Sequence, residues 1–191
     1  MSITTTCDVS GPDLEVIQRR LDELEARVRG QADPNRMNML VFEASRDRLL
    51  AAFVIATSAA SLGMQVDMFF AFWATAALKA DRPQVKGKSL VEWAFGWMLP
   101  RGTSKTSLSQ MDMCGMGRWL MQREMKAKNI ADLDSLIATA GELGVKIHVC
   151  EMSMRLMGIR MEELIDYPEL QICGGTTFAE LTTRANTSLF I

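Results

Sequence analysis

Histidine and tyrosine each occur once in these 191 residues, at His148 and Tyr167. A metal site built from several imidazoles is therefore excluded. The four cysteines, Cys7, Cys114, Cys150 and Cys173, lie far apart and form no C-x-x-C pair. That spacing argues against a zinc site and a disulfide framework, and it fits a reducing compartment. Positive charge is not in excess, because 21 Lys and Arg face 23 Asp and Glu for a net charge of −2. Nucleic-acid binders are normally more basic, so no nucleic-acid partner is expected. Neither G-x-G-x-x-G nor a P-loop is present, so a nucleotide cofactor has no motif support. No cofactor and no metal are expected. The opening MSITTTCDVSGPD lacks a basic n-region and an apolar h-region. It reads as no signal peptide, and a cytoplasmic protein is expected.

Apolar residues, by contrast, make up 48% of the chain, with fifteen methionines among them. Methionine at this frequency serves soft core packing more often than chemistry. From Leu49 to Leu78 the only charge is Asp67, and a hydropathy scan would flag a spanning helix. Gly63 interrupts the run, however, and Met64 to Trp73 (MQVDMFFAFW) reads as a buried strand. A helix followed by a fully buried parallel strand is also continuously apolar.

Leu14, Ile17, Leu21, Leu24 and Val28 recur at intervals of 3, 4, 3 and 4, the seam of a short coiled coil. Residues 1–12 are expected to be a flexible tail with Cys7 incidental, and 13–30 a helix capped by Ser10 and stopped at Gly30. At this length such a helix is marginal alone, so it packs on a symmetry mate or on its own domain. Residues 31–37 read as a linker. Strand 38–44, helix 46–62 capped by Ser45, strand 65–72 and a short helix to Lys79 follow. Residues 81–106 are irregular. Then come helix 107–128, helix 133–143 capped by Asp132, strand 145–150, a helical stretch from Ser153, a turn at 160–165, strand 170–173, helix 177–185 and a last strand 187–191. Strands alternating with helices imply a mostly parallel five-stranded sheet in a three-layer α/β/α sandwich, with an N-terminal helix added.

In an open parallel sheet the site lies off the carboxyl ends of the strands. Four loops are expected to meet there: Ser45-Arg46, Trp73 onward, Cys150 to Ser153, and Gly174-Gly175-Thr176. Cys150 ends a strand at a helix start, where unpaired N–H groups and the dipole favour an anion. The thiolate is the nucleophile of sulfur chemistry; the alternative is a buried, inert cysteine. His148 faces the same side as Cys150, as a base for the thiol or simply as a packed residue. Ser153 is expected to cap the short helix. Gly174 and Gly175 form an anion nest or a tight turn, and Cys173 ends a strand at the same edge. Cys114 sits in MDMCGMG on an expected helix, as a second thiol or a packed one. In the insertion, Arg82, Lys86, Lys88, Arg101 and Lys105 surround VEWAFGWML. Trp93 and Trp97 share a helix face there, which makes the segment a lid, an interface, or a membrane-surface contact through 91–99.

The segment KIHVCEMSMRLMGI followed by EELI resembles the DsrE/DsrF-like sulfur-relay family, in the branch with a long central insertion that is often labelled peroxiredoxin-like. GMQVDMFFAFW, GKSLVEWAFGWMLPRG, LSQMDMCGMG and the terminal SLFI recur in the same order, so the resemblance spans residues 38 to 191 with its insertion at 81–106. It implies the α/β/α fold, a homo-oligomer, and a persulfide-bearing cysteine that by position is Cys150. It also implies sulfur donor and acceptor proteins of the TusA or rhodanese kind as partners. The function expected is a sulfur carrier or sulfurtransferase. The alternatives are a thiol redox protein cycling through sulfenic acid and a disulfide, or a non-catalytic assembly module.

Overall fold

The computed structural model describes residues 11–29, 32–85, 87–100, 102–103 and 106–191. The expectations for Cys7, the Ser10 cap, the Gly30 stop, Lys86, Arg101 and Lys105 fall outside these residues. Two compact units divide the chain at Ala32 and Asp33. In the first, helix α1 (Gly11–Arg29) carries the heptad seam, and Leu14, Ile17, Leu21 and Leu24 are all exposed.

In the second unit, strands β1 (Asp33–Val41), β2 (Gln65–Phe70), β3 (Lys146–Cys150), β4 (Leu170–Cys173) and β5 (Ala185–Phe190) form one parallel sheet in the order β4-β3-β2-β1-β5. The segment expected as a linker is the first half of β1, which pairs with β5 from Asp33 and slips register before Met37. Its sequence, DPNR, is too polar to announce a strand, yet at this end the side chains are exposed and need no apolar character.

Alternation gives each strand two faces. One face carries Met39, Val41, Met68, Phe70, Ile147 and Val149, all fully buried. Helices α2 (Arg46–Ser61) and α6 (Leu133–Glu142) cover it through Leu49, Ala52, Phe53, Leu133 and Ala140. Full burial of a side chain such as Phe53 contributes about 1.5–3 kcal/mol. Asp132 caps α6 by accepting from the Ser135 N–H at 2.9 Å. The opposite face carries Asn38, Leu40, Asp67, Phe69, His148 and Cys150, and α8 (Gly175–Arg184) packs on it through Phe178 and Thr182. Helices thus lie on both faces, giving the α/β/α layering. The apolar run 49–78 is divided among α2, β2 and the short helix α3 (Trp73–Ala77), and among the described residues no helix is long and apolar enough to cross a membrane.

The segment 81–106 is not irregular throughout. Helix α4 (Leu90–Met98) opens with a capping box between Ser89 and Glu92, which satisfies two otherwise orphaned donors. The insertion is fastened by Glu163. Its buried carboxylate accepts from Lys88 Nζ at 2.6 and 2.7 Å, from the Val85 N–H at 3.0 Å and from the Arg160 N–H at 3.1 Å. Helix α7 (Glu151–Met157) meets α4 at Gly158, which has φ +62° and where any Cβ would lie 2.4 Å from that of Glu92.

Burial alone would push the Glu163 carboxyl up, but donation by Lys88 and by the Arg160 and Val85 N–H groups outweighs it and holds the group below the usual carboxylate range. The stabilisation is therefore full above that range and lost as pH falls through it. Glu163→Gln strands the buried Lys88 charge and is expected to lower unfolding stability by about 3–5 kcal/mol. Urea titrations at about pH 7 and about pH 4 check both points, since the variant should also lose part of the acid sensitivity of the parent.

Candidate functional site

The carboxyl ends of β2, β3 and β4 bring the chemistry together. Cys150 closes β3, caps α7 with extended backbone (φ −67°, ψ 114°), and is 6% exposed. Cys173 closes β4 directly beside it, since the two are Cα partners in the parallel register. Phe69, Ala71, Leu40 and Phe178 complete this small cluster, which is separate from the main core. The Phe178 ring lies 5.1 Å from that of Phe69, and Asn38 Nδ2 donates to Thr182 Oγ1 at 2.8 Å. These two contacts seat α8 over the thiols. Burial pushes the Cys173 thiol up; a hydrogen bond with Thr177 offsets part of this, and neighbouring Cys150 adds to the rise.

Behind the thiols lies a buried polar row. Asn38 pairs in register with Asp67, and the Asp67 carboxylate lies 2.9 Å from His148 Nε2. Both side chains are 6% exposed. His148 Nδ1 and Asn38 Oδ1 are buried without a protein partner, which is costly unless the site uses them. Asp67 was legible only as the lone charge in an apolar run. A carboxylate buried in a strand requires a partner, and the sequence offers one histidine on a strand facing the same way.

Ser153 does not cap α7. Its hydroxyl, fully buried, accepts the Phe72 N–H at 2.8 Å and so ties the end of β2 to the start of α7. Phe72 has φ 45° and ψ −123°, a sparsely populated conformation that persists only when its surroundings enforce it. Ser45 occupies the cap position of α2, but its hydroxyl makes no cap bond and donates to Glu43 at 3.3 Å. Ser45 and Trp73 line a different cleft, with Met98, Leu99, Thr106 and Leu108 and a volume of about 510 Å³. Gly174 and Gly175 make a tight turn into α8: Gly174 is its extended cap residue, with φ −95°. Neither glycine has the positive φ that a nest of N–H groups requires.

Cys114 is not on a helix. It lies in a 3-10 turn ahead of α5 (Met116–Ala127), exposed, with φ 59°. Met111 and Met113 also have positive φ, and the turn closes against Gly117, where a Cβ would lie 2.0 Å from the Met111 carbonyl oxygen. This is why the expected helix 107–128 begins only at Met116. Met111, Met113, Met116, Trp119 and Leu120 line an apolar cleft of about 850 Å³ beside it. On α4, Val91, Trp93, Trp97 and Met98 are exposed. Among the described residues, no group of three His, Cys, Asp or Glu side chains is arranged to hold a metal ion.

Comparison with known proteins gives consistent findings. The sequence model described as the DsrE/DsrF/DrsH-like family matches residues 33–190. A Bacillus subtilis protein called YrkE, described as uncharacterized, is 34% identical over 156 residues, covering 82% of this chain and 96% of its own. The sulfur carrier protein DsrE2 of Allochromatium vinosum is 27% identical over 163 residues, covering 83% and 99%. Among solved structures, the ychN protein of E. coli aligns with a TM-score of 0.47 and 13% identity over 82% of this chain and 99% of its own.

The Ser153 bond yields a direct test. Ser153→Ala leaves the Phe72 N–H without its acceptor, and a buried unsatisfied donor costs about 1–3 kcal/mol. Urea unfolding is expected to show a loss of that size. A change below about 0.5 kcal/mol, the range of an ordinary surface substitution, would mean that the bond does not hold the strained turn.

Proposed function

Because the chain belongs to the DsrE/DsrF/DrsH-like family, we propose that it is a carrier of sulfane sulfur with Cys150 as the sulfur-bearing thiol. The observation that carries this reading is the placement of Cys150, which ends a central strand at a helix start, outside the main core and beside a buried Asp67–His148 pair. The name of the Allochromatium relative, a sulfur carrier protein, points the same way.

In this reading the Cys150 thiolate attacks the outer sulfur of a donor persulfide. A new S–S bond forms at Cys150, the donor S–S bond breaks, and the donor leaves as its thiolate. Cys150 then holds the sulfur as Cys–S–SH and yields it to an acceptor thiolate by the same exchange. The exchange is isoelectronic and calls for neither a metal nor an organic cofactor. Of the two nitrogens of His148, Nε2 is occupied by Asp67, and Nδ1 is buried without a hydrogen-bond partner, on a residue that shares the Cys150 face of β3. Cys114, exposed in its strained turn, is the second thiol of the proposal.

Partners in this reading are sulfur donor and acceptor proteins of the TusA or rhodanese kind, in the cytoplasm. The exposed seam of α1 and the exposed Trp93 and Trp97 of α4 supply apolar surface for a homo-oligomer or for those partners. A thiol redox role is the second reading, favoured by one observation: Cys150 has Cys173 as its cross-strand neighbour.

Treatment with inorganic polysulfide, followed by alkylation and peptide mapping, tests the proposal. A reductant-sensitive gain of about 32 Da on Cys150 is expected within the first time points, and Cys150→Ser should abolish it while the chain stays folded, with a stability loss of about 1–3 kcal/mol for the hydroxyl placed in the apolar cluster. Failure of Cys150 to take up sulfur, with a gain of about 16 Da after peroxide instead, would replace the carrier reading with the redox one.

A further inference from the structure

Cys150 and Cys173 are remote in sequence and adjacent in space. Each is the last residue of its strand, and the parallel register of β3 and β4 makes them direct Cα partners. Their side chains fall on the same face and share one apolar cluster. Both thiols are free. Neighbouring strands stand about 4.8 Å apart, inside the Cα separation of about 4.4–6.8 Å that a disulfide spans. Because the ladder between these strands ends at this pair, a small shift that brings the two sulfurs together breaks no further pairing. The two thiols also differ. Cys150 is buried among Phe69, Ala71 and Phe178, whereas Cys173 is partly exposed and contacts Thr177.

We propose that Cys173 is the resolving thiol of Cys150: it discharges the Cys150 persulfide by forming a Cys150–Cys173 disulfide and releasing hydrosulfide. The inference rests on the carrier reading above and adds a second outlet for the sulfur. The Cys173 thiolate attacks the inner sulfur of Cys150–S–SH. The Cys173–Cys150 bond forms, the bond to the outer sulfur breaks, and the outer sulfur leaves as HS⁻ with the electron pair of that bond. Cys150 and Cys173 are each oxidised by one electron, and the sulfane sulfur is reduced by two, so no external oxidant enters. The proton of Cys173 goes to solvent. A small dithiol reductant then supplies two electrons and two protons and restores both thiols. Burial raises the Cys173 thiol, so its thiolate forms sparingly and the discharge is slow enough for the Cys150 persulfide to accumulate first.

The experiment uses the full chain with Cys7→Ser and Cys114→Ser, so that only Cys150 and Cys173 remain. It is loaded anaerobically with inorganic polysulfide, desalted, alkylated at intervals, and followed by intact mass, peptide mapping and a hydrosulfide assay. The same chain carrying Cys173→Ser, and separately Cys173→Ala, runs in parallel. Expected is an early gain of about 32 Da on Cys150 that decays to a loss of about 2 Da, with a Cys150–Cys173 linked peptide and about one hydrosulfide per chain. In both Cys173 variants the Cys150 persulfide should last at least about tenfold longer. A Cys150 persulfide that lasts equally long in all three chains, with no linked peptide, would overturn the resolving role and leave the carrier reading standing. Absence of any sulfur adduct on Cys150 in the Cys173 variants would overturn the carrier reading and the discharge with it.

Discussion

Everything in this protein depends on the two-residue alternation of a parallel sheet. One face is filled with methionine, valine, isoleucine and phenylalanine and sealed by α2 and α6. The same strands must turn every other side chain the other way, and there, among the described residues, α8 packs through Phe178 and Thr182. Polar and thiol groups accumulate on this face: Asn38 on β1, Asp67 on β2, His148 and Cys150 on β3, Cys173 on β4. A substitution on the first side acts through packing, and one on the second acts through the hydrogen bonds of buried polar groups.

The alternation of strands and helices was legible because each parallel strand is a short apolar run bounded by a cap or a glycine. Asp132 as a cap, β4 at 170–173, and Cys150 at a strand end were all readable in this way. Three features were not. The start of β1 is a polar stretch whose strand signal is its pairing with β5 and β2. The turn at Met111–Cys114 depends on left-handed backbone at methionine and cysteine, which no propensity announces. The partner of Ser153 lies in the turn after β2, while local rules offered only the cap of its own helix. The sequence put Cys150 and Cys173 at the same sheet edge, but their direct pairing was not readable, for a related reason. A sequence shows which residues share a face of one strand, but the offset between two strands is fixed only by the folded sheet.

The insertion shows how a long excursion is kept ordered. Four hydrogen bonds from three donors on two segments converge on one buried carboxylate, Glu163. Removing two charges from water is expensive, and saturating the carboxylate with donors is what makes such a pair tolerable. Glu163 itself sits just after α7, so the loop that anchors the insertion is continuous with the helix that begins at Cys150.

Helix α7 thereby acquires a mechanical meaning. Its amino end is Cys150, and its carboxyl end is Gly158, pressed against Glu92 of α4 with no room for a side chain. A seven-residue helix is about 10 Å long, so Cys150 and the contact with α4 stand one short helix apart. Any residue with a Cβ at position 158 would have to displace either Glu92 or the helix whose first turn follows Cys150.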